Sequence, residues 1–254
     1  MIESTREPTR ESTREPTRAP ARPAPRPDAA TATAAAASAH HAAPPDAGAR
    51  VSKATQVGAS LAARPDFRAI ARWVEPGSSV LDLGCGDGSL LALLVAELDV
   101  QGYGIEINDA GVLACTQKGV NVIQQNLEDG LRLFDDDSFD FAVLSQTLQT
   151  IHQTAAILRE TVRVARQCIV SFPNFGYWPH RLDVLKGRMP VSRALPYQWH
   201  NTPNVRVLTI HDFEALAPEV GIRIRERVVL GNGQPIRWGL NWRGSLAVYR
   251  VEKI

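Results

Sequence analysis

The sequence predicts an α/β fold: a mostly parallel, seven-stranded sheet with an antiparallel pair at one edge and helices on both faces. Three observations carry this expectation. From residue 64 onward, short β-prone runs alternate with segments whose apolar residues fall at helical spacing. One run, 139–145, is apolar on both faces, as a buried parallel strand should be. A glycine-rich loop leads from the first strand straight into a helix. Alternating strands and helices imply a parallel sheet covered on both sides.

The elements follow in order. Phe67, Ile70, Ala71 and Val74 give helical spacing over 66–74, and Pro76-Gly77 ends it. A strand over 79–83 precedes an apolar helix over 90–98. A second strand covers 102–107, and Asp109 is placed to cap a helix over 110–118 that Gly119 stops. Strands follow over 120–124 and 139–145. The helix over 155–165 carries Ile157, Leu158, Val162 and Ala165 as its inner stripe. A fifth strand spans 168–172 and a helix 212–220. The last two strands, about 222–230 and 245–251, show no helix between them, so they should pair antiparallel at an edge.

Composition sets the class. The chain has 254 residues, 44% hydrophobic and 22% charged, which is ordinary for a globular protein. No apolar run approaches 18 residues, which argues against a membrane-spanning helix. A net charge of +1 argues against a nucleic-acid binder acting through bulk charge. Cys85, Cys115 and Cys168 are too few and too far apart for a disulfide framework or a zinc site, which fits a reducing, cytoplasmic location.

Residues 1–55 read differently. They hold no aromatic residue, and Glu-Ser-Thr-Arg-Glu-Pro-Thr-Arg occurs twice, at 3–10 and 11–18. Such a segment buries too little apolar surface to offset its ordering entropy, so a disordered extension is expected, with the domain covering 64–254. No compact apolar region follows the start, and Glu3, Glu7, Glu11 and Glu15 argue against a mitochondrial targeting peptide.

The glycine loop reads Asp82-Leu83-Gly84-Cys85-Gly86-Asp87-Gly88. A dinucleotide fingerprint, Gly-x-Gly-x-x-Gly, would put its third glycine at 89, where this chain has Ser89. The difference has chemical meaning. A dinucleotide presents pyrophosphate to the helix N-terminus. S-adenosylmethionine presents an amino-acid zwitterion and a sulfonium, and an acid at the strand end, Asp82, suits its cationic amino group. Glu106 lies at the end of the second strand, where an acid can accept from both ribose hydroxyls, with Ile107 beside it. Asn126 and Leu127 follow the third strand, where a side-chain carbonyl and a backbone amide can hold the adenine edge. Ser145 ends the fourth strand and should border the sulfonium. The expected cofactor-binding set is therefore Asp82, Gly84, Cys85, Gly86, Gly88, Glu106, Ile107, Asn126, Leu127 and Ser145, for S-adenosylmethionine or S-adenosylhomocysteine. Cys85 reads as a small residue tolerated near the ligand, since no basic neighbour lowers its pKa. No metal site is expected.

Taken with VLDLGCGDG at 80–88, GYGIEI at 102–107, KGVNVI at 118–123 and SQTLQ at 145–149, three rarer stretches extend the pattern. They are RQCIVSFPNFGYW at 166–178, KGRMPVS at 186–192 and LPYQWHNTPN at 195–204. With these the chain resembles the MetW family of methionine-biosynthesis proteins. The resemblance implies the class I methyltransferase (Rossmann-like) fold. It also implies an association with homoserine acylation, through a homoserine O-acyltransferase partner. Methyl transfer is not implied for the family as a whole, so an active S-adenosylmethionine-dependent methyltransferase on a small molecule stands as the alternative.

Catalytic residues are sparse. There is no Asn-Pro-Pro-Tyr or Asp-Pro-Pro-Tyr and no cysteine pair for cytosine-carbon methylation. His152 is the one candidate general base, with a polar cap on the following helix as its plainer role. The segment 172–208 is long for a connection and mixes Phe172, Phe175, Tyr177, Trp178, Tyr197 and Trp199 with Arg181, Lys186, Arg188 and Arg193. Trp238 and Trp242 form a second aromatic pair. This composition suits a partner-binding cap or a ligand lid, and a small core beneath the cap would consume several of the rings.

Overall fold

Alternate residues of the central strands face opposite sides of the sheet, and each side has its own apolar core. This computed structural model describes residues 64–254, so the extension expected at 1–55 lies outside the described residues. The strands are β1 (Ser79–Leu83), β2 (Gln101–Glu106), β3 (Asn121–Gln124), β4 (Phe139–Ser145), β5 (Ala165–Pro173), β6 (Ile222–Gly231), β7 (Gln234–Ile236) and β8 (Leu246–Lys253). The helices are α1 (Pro65–Ala71), α2 (Ser89–Leu98), α3 (Asp109–Gln117), α4 (Thr154–Val164), α5 (Trp178–Leu185), α6 (Ile210–Glu219) and α7 (Leu240–Arg243). On one face Val80, Phe141, Val143, Ile169 and Val248 pack with Phe67 and Ile70 of α1 and with Leu90, Leu91 and Leu94 of α2. On the other, Leu81, Leu83, Ala142, Leu144, Val170 and Tyr249 pack with Ile157, Leu158 and Val162 of α4 and Phe213 of α6. The period of two places successive side chains in different cores, so both faces must be covered.

One sheet runs in the order β3-β2-β1-β4-β5-β8-β6-β7. β1 to β5 pair in parallel. β8 lies antiparallel between β5 and β6, and β7 is antiparallel on β6. The chain leaves β1 toward β2 and β3, then crosses back to β4 on the other side of β1. Connections therefore diverge above the C-terminal ends of β1 and β4, which is where a crevice opens in such sheets.

Four expectations change. The sheet has eight strands rather than seven, because Asn232-Gly233 turns β6 back into the three-residue β7. Positive φ at both residues, 51° and 79°, marks a tight hairpin too short to show a periodic pattern. The last long strands do pair antiparallel at that end of the sheet, but a short helix, α7, separates them and β7 adds one more strand outside β6. Finally, Asn108 rather than Asp109 caps α3, accepting from the Ala110 amide. α6 begins earlier than expected, in a capping box between Thr209 and Asp212.

The segment 172–208 starts inside the core. Phe172 is fully buried and packs on Phe213 and Tyr249, with ring centroids 5.0 and 5.8 Å away. It is thus unavailable to any partner. Beyond it, Asn174 holds the cap. Its side chain is fully buried, donates to the carbonyls of Asn241 and Gly244, and accepts from the amides of Gly176 and Ile210. One amide group thereby ties the end of β5 to α7 and to the start of α6. Asn174→Ala strands several buried backbone groups at once, and we expect a loss of roughly 3 kcal/mol in denaturant unfolding.

Candidate functional site

β1 ends against the start of α2, and the chain has room for only a tight loop. Gly84 and Gly86 supply it with φ of 74° and 58°. A Cβ at Gly84 would stand 2.5 Å from Thr147 Cγ2, whereas one at Gly86 would meet open space. Gly86 is where the loop backbone faces the cavity above the sheet.

That cavity has two lobes. The larger, about 930 Å³, is lined by Arg64, Gly86, Gln149, Tyr177, Arg193 and Tyr197 among others. The smaller, about 530 Å³, is lined by Gly84, Ile107, Gln125, Asn126, Leu127 and His152 among others. Glu106, Ser145, Gln146, Thr150 and Pro203 line both. Of the residues expected from sequence, Gly84, Gly86, Glu106, Ile107, Asn126, Leu127, Ser145 and His152 thus surround one divided space.

Asp82, Cys85 and Gly88 line neither lobe. The Cys85 side chain turns away into the α2-side core, with its sulfur 3.7 Å from that of Cys115. Burial and nearby Asp82 push its thiol pKa up, so it stays protonated. Gly88 sits against the Cys115 sulfur instead of facing a ligand. Asp82 lies beneath the loop, 1% exposed, and its Oδ1 is buried with no hydrogen-bond partner among the described residues.

Burial pushes the Asp82 carboxyl up to about 7; Arg64 draws it down and Glu106 pushes it further up. Its folded pKa thus lies above the unfolded 3.8, so between those values the folded state holds more protons. Stability then falls as pH rises through that window.

Glu106 behaves differently. One carboxylate oxygen accepts from the Gly86 amide at 2.8 Å, and the other from Ile107 and Asn108 at 3.0 and 2.9 Å. It fixes the glycine loop to the end of β2 and keeps acceptor capacity to spare. Asn126 uses its carbonyl oxygen to accept from the Glu128 amide at 3.0 Å. Glu128 in turn accepts from the amides of His152 and Gln153. His152 is exposed at the smaller lobe, and its backbone carbonyl accepts from Arg206.

One cluster escaped sequence reasoning. Asp66 of α1 is fully buried and takes two hydrogen bonds from Arg64, at 3.0 and 2.8 Å. It also accepts from Gln146 Nε2 at 3.0 Å and from the hydroxyls of Ser145 and Ser171. Arg64 Nη2 further donates to Ser145 Oγ at 2.8 Å. Burial alone would push the Asp66 carboxyl up, but the hydrogen bonds and charge of Arg64, with Gln146, hold it below the ordinary value. Locally, Arg-Pro-Asp reads only as a helix start with an acid in its first turn, which conceals the contact with the ends of β4 and β5.

The residues present fit an adenosyl cofactor. An orphaned buried carboxylate oxygen, a loop glycine open to the cavity and an anchored acid at the end of β2 are the donor and acceptor set its groups require. Together with the switch-point sheet, they define a class I methyltransferase-type fold. Solved structures agree on the fold. A SAM-dependent methyltransferase of Thermotoga maritima, described as a possible histamine N-methyltransferase, superposes with a TM-score of 0.54 at 17% identity, covering 79% of this chain and 96% of that one. Magnesium protoporphyrin IX methyltransferase of Synechocystis PCC 6803, solved with bound S-adenosylhomocysteine, gives 0.50 at 19% identity, covering 82% and 84%. Residues 64–251 match the family model of the methionine biosynthesis protein MetW, and the chain belongs to that family. A curated relative, the bifunctional methionine biosynthesis protein MetXA/MetW of Rhodopirellula baltica, is 39% identical over 173 residues, 64% of this chain. The chain spans 28% of that relative's length. Among the described residues no helix is long and apolar enough to cross a membrane.

Asp82→Asn removes a buried charge that burial disfavours. Melting temperature is expected to rise near pH 8, with the gain shrinking as pH falls and vanishing well below the unfolded value of 3.8, where the wild-type carboxyl is protonated in both states. Equal gains across a scan of melting temperature against pH would contradict this.

Proposed function

We propose that this protein binds S-adenosylmethionine or S-adenosylhomocysteine in the divided cavity and acts with a homoserine O-acyltransferase in methionine biosynthesis. The observation that carries the partnership is the bifunctional relative, in which a segment like this one is joined to MetXA in a single chain. Joining two proteins in one chain raises their effective concentration, which serves partners that must meet.

In this reading Glu106 receives the ribose hydroxyls and Asn126 and Leu127 the adenine edge, while Asp82, beneath the glycine loop, favours the cationic amino group through its charge rather than by contact. S-adenosylmethionine, when bound, would supply an electrophilic methyl group; S-adenosylhomocysteine would not. The larger lobe favours an accessory role over methyl transfer: among the described residues no histidine, cysteine or lysine lines it, and the one carboxylate among them, Glu106, holds three amides. An active small-molecule methyltransferase keeps one point in its favour, the 930 Å³ of space beside the smaller lobe.

The cap's outer face supplies the docking residues. Trp178 and Trp199 are 41% and 74% exposed, and Arg188 is exposed nearby in the chain. Trp238 and Trp242 are exposed too, each stacked with an arginine, Arg243 and Arg181 respectively. Exposed tryptophan beside arginine is the composition of an interface hot spot.

Two measurements test this. Calorimetry on the wild type should show binding of either adenosyl ligand, and Glu106→Ala should weaken it by about 1–3 kcal/mol. Trp199→Ala should weaken the complex with the acyltransferase by about 2 kcal/mol while folding and ligand binding persist. An acyltransferase that is fully active alone, with no binding to this protein at micromolar concentration, would return methyl transfer to first place.

A further inference from the structure

We propose that Ser192 is a nucleophile with His180 as its base, placed to take an acyl group from an activated ester or thioester bound in the larger lobe. The inference goes beyond the adenosyl reading and does not rest on it.

His180 belongs to α5 and is 1% exposed. Its Nδ1 lies 3.3 Å from the backbone carbonyl of Asn174, and its Nε2 lies 2.9 Å from Ser192 Oγ. A carbonyl can only accept, so Nδ1 carries the proton and Nε2 accepts from the serine hydroxyl. Burial keeps the ring neutral, as a base must be, by drawing its pKa below the ordinary value; the Asn174 carbonyl and the charge of Asp183 oppose this. The ring is also held in place. The rings of Tyr177 and Phe175 lie 5.2 and 6.1 Å from it, and Asn174 is the residue that fastens the cap. Nucleophile, base and a group orienting the base thus stand in one hydrogen-bonded row, the arrangement that activates a serine.

Ser192 lines the larger lobe, and His180 stands behind it, out of solvent. The Leu195 amide donates to Ser192 Oγ at 3.2 Å, which favours negative charge on the attacking oxygen. Arg193, next in the chain, lines the same lobe and supplies the cationic field that an acyl-transfer oxyanion favours.

In the step proposed, Oγ bonds to the acyl carbon while its proton passes to His180 Nε2. The bond from that carbon to the leaving oxygen or sulfur then breaks, and the leaving group departs with the proton from Nε2. The acyl group stays on Oγ until water attacks it. Water gives a proton to Nε2, the bond between the acyl carbon and Oγ breaks, and Oγ recovers that proton. The products are an alcohol or thiol and a carboxylic acid, with no oxidant or reductant required.

The probes are a fluorophosphonate, which phosphonylates activated serines, and the ester 4-nitrophenyl acetate. Each is added to the full chain, as wild type, Ser192→Ala and His180→Gln, and adducts are located by peptide mass mapping. Wild type should carry the phosphonyl group on Ser192 and release nitrophenol in a burst of about one equivalent. Ser192→Ala should show neither. His180→Gln should be labelled at least about a hundredfold more slowly. If His180→Gln fails to fold, wild type decides alone: Ser192 must be labelled in the folded chain and not in the chain unfolded by urea. An unlabelled Ser192 in the folded wild type, or equal labelling rates in wild type and His180→Gln, would overturn the proposal. Labelling of Ser192 without nitrophenol release would overturn it too. None of these results bears on the adenosyl reading, which calorimetry tests separately.

Discussion

A carboxylate with no access to water governs the upper half of this molecule. Asp66 enters the protein on α1, yet its partners lie at the ends of β4 and β5 and in the segment just before the helix. A buried anion is tolerated only when its lone pairs are met, so the position of α1, the rotamer of Arg64 and the turn after Ser145 are fixed together. Gln146 shows the constraint. It takes a left-handed backbone, φ 54°, although it is not glycine, and its side chain returns to Asp66. Its amide is held by the carbonyl and hydroxyl of Ser171. Those contacts offset the unfavourable conformation and place Gln146 at the junction of the two lobes.

Below that layer the organisation is apolar and simple. Two cores on either side of the sheet position the strand ends, and the reversal of strand order beside β1 opens the crevice. The cap is fastened by a different means, a single buried amide at Asn174, and by the Gln149 carbonyl, which accepts from the Val205 and Arg206 amides. Polar residues therefore carry the parts of the fold where the chain has no periodic pattern to follow.

This division explains what the sequence made legible. Parallel strands and amphipathic helices announce themselves by spacing, so β1 to β5 and α4 were readable within a residue or two to a few residues. The acid at Glu106 and the glycine loop stood at fixed offsets from those strands and were readable with them. The hairpin into β7 was not, because three residues carry no period, and α7 is a single short turn. The direction of the Cys85 side chain, into the helix-side core, was not legible, because alternation after a strand does not survive a glycine loop. Arg64 and Asp66 were invisible for another reason. Their meaning lies in contacts some eighty residues away, and locally they look like any helix start.

Pro203 and Thr150 line both lobes, and the stretch of cap that follows Pro203 is held by the carbonyls of Gln149 and His152. The same stretch of chain, a few residues earlier, presents Trp199 to the outside. Inner and outer faces are thus two sides of one thin covering. Under the proposed function, a ligand within and a protein docked outside that each prefer one position of this covering would change one another's affinity by the same factor.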